Sequence, residues 1–250
     1  MSTLFSLNIN KIALIRNSRD TNYPSLEQFA EDVLARGVKG LTLHPRHDER
    51  HIKYADLAPI KAITTEASAL NSVVEMNVEG YPDQRFIDAM LLIKPDQITL
   101  VPDASSQLTS DHGWGFDDLD LLTQAVNALR PSGSRICLFI DPNQASVEAC
   151  LSLGVDGIEL YTEPYARAFE LKDAEPQAFE SLLKTYADVA TYAKGHGLRV
   201  NAGHDLNLEN LSEFLQACSI DEVSIGHGAT VECIYMGLDT VIARYLEIFG

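Results

Sequence analysis

Eight short apolar runs recur along the 250 residues, separated by longer segments, several of helical periodicity, and this alternation restricts the fold more than any other feature. The runs are "LFSLNIN" from Leu4, "KGLTLHP" from Lys39, "SVVEMNVEG" from Ser72, "DQITLVP" from Asp96, "SRICLFID" from Ser134, "DGIELYT" from Asp156, "LRVNAGH" from Leu198 and "DEVSIGH" from Asp221. Each is rich in β-branched or aliphatic residues, the composition of a strand. Between them lie amphipathic segments such as "SLEQFAEDVLARG", "NQASVEACLSLG" and "NLENLSEFLQAC". Ser25 and Asn143 are suited to cap the first two at their N-termini, and Gly37 and Gly154 to end them. A closing helix is predicted around "ECIYMGLDTVIARYLEIF". Eight such alternations fit an α/β (β/α)₈ barrel. A doubly wound open sheet usually has fewer strands and often a Gly-rich first turn, and "NINKIALIRN" is not such a turn. No linker or low-complexity tract divides the chain, so residues 1–250 are expected to form a single barrel domain.

The formal charge of −17 argues against nucleic acid or an anionic membrane as partner. It leaves room for small anionic substrates held by a few local cations and backbone N–H groups. No apolar run reaches the ~18–20 residues of a membrane span. The start "MSTLFSLNIN" lacks the basic stretch and apolar core of a signal peptide, so a cytoplasmic location is expected. Cys137, Cys150, Cys218 and Cys233 are scattered among apolar neighbours, without metal-type spacing, and are expected to be buried free thiols.

Barrel enzymes place their chemistry at the C-terminal ends of the strands. The stretch "LTLHPRHDERHI", Leu41 to Ile52, puts three of the seven histidines and two arginines at one such end. Thr42 and His44 share one parity of the strand, and if Leu41 and Leu43 face the helices then His44 points to the mouth. Other strands deliver polar side chains in the same way: Asn8 and Asn10; Glu75, Asn77 and Glu79; Glu159; His204; His227. Inward carboxylates are costly unless paired, so Glu75 and Glu159 are either internal struts or chemical groups. His47, Asp48 and Glu49 read as a solvated loop, and His112 and His196 lie in loop contexts without an assigned role. In "SIGHGATVEC", Gly226 and Gly228 lead from strand to helix, which suits either a phosphate at a helix N-terminus or a plain tight turn.

The segments "NINKIALIRNSRDT", "LTLHPRHDERHI", "FIDPN", "RVNAGHDL" and "IGH" resemble the pyridoxine 5′-phosphate synthase family of vitamin B6 biosynthesis, from the first strand to the last. The resemblance implies a (β/α)₈ barrel with extra helices, assembled as a homo-octamer, that needs no metal or redox cofactor. It implies a transferase-class condensation of 1-deoxy-D-xylulose 5-phosphate with 3-amino-2-oxopropyl phosphate to pyridoxine 5′-phosphate, phosphate and water. It places a general base at His44, a second acid/base carboxylate at Glu75, a proton donor at His204 and a transition-state carboxylate at Glu159. Contacts to deoxyxylulose phosphate fall on Arg46, His51 and Thr109, and by position on Asn10 and Lys11. Contacts to the aminoketone phosphate fall on Asn8, Arg19, Asp205, Gly226 and His227. The chain departs from the family pattern at Asn10-Lys11, where an Asp-His pair is expected, at Asp205, where Gly is expected, and at Tyr161-Thr162-Glu163, where His-Thr-Gly is expected.

Two other readings use the same residues. A metal-dependent sugar-phosphate isomerase or hydrolase would ligate its ion through Glu75, Glu159, His204 and His227, although no H-x-H or Asp-x-Asp pair is present. A non-catalytic binder of phosphorylated ligands would retain the fold and lose the chemistry.

Overall fold

The computed structural model describes residues 3–70, 73–103, 110–117 and 119–250. Among them are eight strands: β1 (Leu4–Asn8), β2 (Gly40–Leu43), β3 (Glu75–Gly80), β4 (Gln97–Leu100), β5 (Arg135–Ile140), β6 (Gly157–Tyr161), β7 (Arg199–Gly203) and β8 (Glu222–Ile225). Each lies inside one of the eight apolar runs. All neighbours pair in parallel, and β1 pairs with both β2 (Ser6 opposite Gly40) and β8 (Ser6 opposite Ser224), which closes the barrel.

The helices among the described residues are α1 (Asn10–Asn17), α2 (Leu26–Ala35), α3 (Tyr54–Leu70), α4 (Gln84–Ile93), α5 (Leu119–Leu129), α6 (Gln144–Leu153), α7 (Glu163–Glu170), α8 (Pro176–Gly195), α9 (Leu211–Ala217), α10 (His227–Met236) and α11 (Leu238–Phe249). The connections after β1, β6 and β8 each carry two helices, which are the extra helices of the expected architecture. Ser25 caps α2 by accepting from the Gln28 N–H at 3.2 Å, and Asn143 caps α6 by accepting from Ser146 at 2.9 Å. Gly154 ends α6 in the left-handed region.

The single closing helix predicted from the sequence is two helices. Gly237, at φ +82°, breaks it between Met236 and Leu238. A residue without Cβ takes this conformation at little cost, and the chain turns there. The turn lets α11 pack back on α10 and on β1, where the Phe249 and Tyr245 rings each stack on Phe5 at 5.1 Å.

Strand alternation divides the barrel into an apolar outer surface and a polar interior. Leu41, Leu43, Met76, Val78, Ile98, Leu100, Ile158 and Leu160 belong to the main hydrophobic core, with helix residues such as Phe86, Tyr165 and Phe214. The alternate positions are Ser6, Thr42, Asn77, Thr99, Glu159 and Asn201, all buried. Four of them pair between neighbouring strands, Ser6 with Thr42 at 2.8 Å and Thr99 with Asn77 at 3.0 Å. A barrel interior is ordinarily filled with branched aliphatic side chains, so this one departs from a purely packed core. All four cysteines are free; three are buried and Cys233 is half-buried. Among the described residues no helix is long and apolar enough to cross a membrane.

Candidate active site

The C-terminal end of β2 runs directly into the site. His44 follows Leu43 and is buried. Its backbone N–H donates to Asn10 Oδ1 at 2.9 Å, and the Asn10 N–H donates to Asn8 Oδ1 at 3.0 Å. The end of β1, the start of α1 and the end of β2 are thereby locked together, and Asn8 and Asn10 owe at least part of their place in the site to this scaffold. Asn17 Nδ2 donates to the carbonyls of Arg50 and His51, at 3.2 and 2.6 Å, which ties the "PRHDERH" loop to α1. A bidentate Arg16–Asp56 pair, 2.8 and 2.9 Å, anchors α1 to the first turn of α3.

The His44 imidazole lies between two carboxylates. Its Nδ1 is 3.6 Å from Glu79 Oε2, and its Nε2 is 3.7 Å from Asp103 Oδ2. Asp103 is also ion-paired with Arg46 and accepts from the Ser110 hydroxyl at 2.9 Å. The His51 ring stands 6.0 Å from His44, and its Nδ1 accepts from the Ile52 N–H at 3.0 Å, which leaves Nε2 to carry the proton of the neutral ring. A cavity here is lined by His44, Arg46, Tyr54, Tyr81 and Asp103. The loop after β4 meets it through Trp114, whose indole donates to the Leu100 carbonyl at 2.9 Å and whose ring lies 5.9 Å from Tyr81.

Burial and neighbouring charge set the protonation states. Burial lowers the His44 pKa well below its usual value, and Arg46, His51, His204 and Arg50 add to the effect. Burial lowers His51 to about 4, with Arg46 and Lys11 contributing. The Glu79 carboxyl is raised well above its usual value by burial and by the nearby Glu159, Asp103 and Glu222, against the pull of Arg46. Glu159 is pushed up to about 8 by burial and Glu222, while the nearby Thr99 hydroxyl acts in the opposite direction. Burial therefore favours the neutral imidazole and the neutral carboxyl beside it, a proton acceptor and a proton donor placed side by side.

Just past β7, His204 closes another side of the mouth. Its ring packs against Tyr161 and Phe139, with centroids 5.3 and 5.5 Å away. Burial lowers its pKa, while Asp205, Asp103 and Glu163 act in the opposite direction. Glu159 lies in the barrel interior on β6, opposite Asn201 of β7, and its side chain reaches Gly203, where a Cβ would collide with Glu159 Oε1.

Of the residues expected from the sequence, His44, Arg46, His51 and His204 gather at the mouth, with Glu159 in the interior. Glu75 does not join them. It is the first residue of β3, at the opposite end of the barrel, where it pairs with Arg135 and lies 3.5 Å from Arg199, which reaches Glu222 at 3.4 Å. The carboxylate at the mouth is Glu79, four residues further along the same face of the strand. Asp103, just beyond β4, was likewise not singled out by the sequence; its weight comes from partners far away in the chain. Gly226 caps α10 and would meet Asn8 Cβ at 3.1 Å if it carried a Cβ. His227 and Asp205 are exposed. Arg19 is exposed beyond α1 and donates to the Ser18 carbonyl at 3.0 Å, so within one chain it is not drawn into the cluster. Lys11 lies on α1, and Thr109 lies outside the described residues. Among the described residues, no three His, Cys, Asp or Glu side chains are grouped as a metal ion would require.

The family model for "Pyridoxal phosphate biosynthesis protein PdxJ" matches residues 5–250. The chain belongs to the PdxJ family. Among its relatives, the pyridoxine 5′-phosphate synthase of Cytophaga hutchinsonii is 43% identical over 247 residues, 98% of each chain. That of Parabacteroides distasonis is 42% identical over 245 residues, 97% of each chain. Solved structures share the fold of this PdxJ member at low identity. KGPDC from Streptococcus mutans aligns with a TM-score of 0.63 at 10% identity, over 100% of this chain and 98% of that one. N-(5′-phosphoribosyl)anthranilate isomerase from Pyrococcus furiosus aligns with a TM-score of 0.57 at 12% identity, over 99% and 98%.

Proposed function

We propose that this chain condenses 1-deoxy-D-xylulose 5-phosphate with 3-amino-2-oxopropyl phosphate, releasing pyridoxine 5′-phosphate, inorganic phosphate and water. The observation that carries the reading is the placement of His44 between Glu79 and Asp103, beside Arg46, in a chain that matches the PdxJ family from residue 5 to residue 250. Imine formation, dehydration and loss of phosphate each move protons, and positioned acids and bases can drive them. Neutral His44 is the general base. Glu79, in place of Glu75, is the acid/base carboxyl beside it. His204, just past β7, is the proton donor, and Glu159 is the carboxylate beneath the ring that forms. Arg46, His51, Lys11, Asn10 and Thr109 receive deoxyxylulose phosphate, where the guanidinium supplies charge-assisted hydrogen bonds to its anion. Asn8, Arg19, Asp205, Gly226 and His227 receive the aminoketone phosphate. For Gly226 the support is its place before α10, where unpaired backbone N–H groups favour an anion. The working assembly is a homo-octamer in the cytoplasm, which sedimentation analysis and cell fractionation test.

Incubation of the purified protein with both substrates decides the matter. Pyridoxine phosphate and inorganic phosphate are expected to appear in equal amounts. Binding of both substrates without either product refutes the catalytic assignment in favour of the binder.

A further inference from the structure

We propose that the turn Tyr161–Thr162–Glu163, where β6 leads into α7, is a positioning device for the His204 imidazole, with Tyr161 as the residue that orients the ring. The inference rests on the reading of His204 as a proton donor. The motif is one of the places where the chain departs from the family pattern, and in space all three residues converge on His204 or on its immediate partners.

The first hold is on the imidazole. The Tyr161 ring meets it edge to face, at 77° and 5.3 Å, and Phe139 completes the wall, 5.5 Å from the imidazole and 5.4 Å from Tyr161. Tyr161, Phe139 and Val101 form a small buried apolar cluster separate from the main core, so the imidazole rests on packed side chains. Tyr161 is itself fixed: its carbonyl accepts from the Tyr186 hydroxyl at 2.5 Å, and the Glu163 carboxylate stands near its phenol. Glu163 is in turn ion-paired with Arg167 one helical turn along α7.

The second hold is on the backbone. His204 and Asp205 have φ of +92° and +54°, a region L-residues rarely adopt in succession. Fully buried Thr162 restrains them from across the sheet. Its N–H donates to the Gly203 carbonyl at 3.1 Å, and its hydroxyl lies between the Gly203 and His204 carbonyls, at 2.8 and 2.5 Å. Asn210 Nδ2 donates to the Asp205 carbonyl at 3.1 Å and secures the far side. A proton donor must meet its acceptor within a narrow range of distance and angle. His204 stands on a loop whose backbone would relax if unrestrained, and these contacts oppose that relaxation.

A kinetic double-mutant cycle tests the device. Tyr161→Ala is expected to lower kcat about 10- to 100-fold, while KM for either substrate stays within about threefold, because orientation and not binding is lost. Tyr161→Phe keeps the ring edge and is expected to stay within about threefold of the parent kcat. In a His204→Gln background, Tyr161→Ala is expected to cost less than about twofold further, since the residue it positions is gone. If Tyr161→Ala does not fold, Tyr161→Leu, which fills space without an aromatic edge, takes its place in the same cycle. Equal losses in both backgrounds, or an unchanged kcat, overturn the positioning role and leave His204 as donor intact. Full turnover by His204→Gln alone overturns the donor role and the positioning role with it.

Discussion

Glu159→Gln isolates the consequence of burying a carboxyl group inside the barrel. Glu159 is 3% exposed in the middle of β6, and burial together with Glu222 raises its pKa from 4.5 to about 8. A folded-state pKa above the unfolded one means that the folded protein holds the proton more tightly. The stabilising contribution is therefore fully present below pH 4.5 and is lost progressively as pH rises to about 8. A rise from 4.5 to about 8 corresponds to about 5 kcal/mol. Gln has nearly the same shape and no charge to bury. Urea unfolding of parent and variant at pH 5, 7 and 9 reads the difference directly. At pH 5 the two are expected to agree within about 1 kcal/mol, and at pH 9 the variant is expected to be more stable by about 3–5 kcal/mol. Glu222, raised to about 7, still titrates in the variant, so a residual slope persists. If the carboxylate also serves the transition state, the more stable variant turns over more slowly at every pH. Unfolding curves that run parallel from pH 5 to 9 would show that Glu159 is hydrated or paired as an anion, and the argument from burial would fall.

Four further outcomes follow from the same structure. Glu79→Gln is expected to lower kcat about 100-fold or more, whereas Glu75→Gln leaves the chemistry nearly intact and costs about 1–3 kcal/mol of stability, because Arg135 and Arg199 lose a partner; kinetics and melting on both variants check the pair. Gly203→Ala places a Cβ against Glu159 Oε1 and is expected to destabilise the fold by about 1–3 kcal/mol, read as a lower Tm. Arg46→Ala and Arg19→Ala are expected to weaken different substrates, each by about 1.5–3 kcal/mol in binding; an effect of both on one substrate alone would refute the division of the phosphate sites. Dialysis against a chelator is expected to leave turnover unchanged, and loss of activity restored by one divalent ion would favour the metal-dependent alternative.

The strand count was legible because each strand is a compact aliphatic run and the helices take the other face of the sheet. Leu41 and Leu43 do face that core, and the parity that points His44 inward follows from them. Parity states which face a residue occupies and is silent on which end of the strand it occupies. Glu75 and Glu79 share a face of β3 yet stand roughly 13 Å apart at about 3.3 Å per residue, and only the ends of the paired strands decide which reaches the mouth. Asp103 was hidden for a related reason: it acquires its role by meeting Arg46, 57 residues away, after the barrel has closed. Gly237 could be read as a tolerated glycine inside one helix or as a break between two, and the packing of α11 on α10 and β1 decides for the break.

Protonation was the least legible property, because it belongs to the assembled cavity and not to any segment. A chain with a net charge of −17 suggests a field that would hold histidines protonated. At the mouth the local balance differs. Arg46, Arg50 and Lys11 stand near His44 or His51, and burial acts on both rings in the same direction as those cations, so both imidazoles are held neutral. The carboxyl groups below them are shifted upward by the same burial and by one another. Desolvation thus moves acids and bases toward the neutral forms from opposite sides, and the site keeps proton donors and acceptors side by side without leaving a buried charge unpaired. The polar interior of the barrel accompanies that arrangement: Thr99 stands opposite Glu79 and Asn201 opposite Glu159, where a purely packed barrel would place aliphatic side chains.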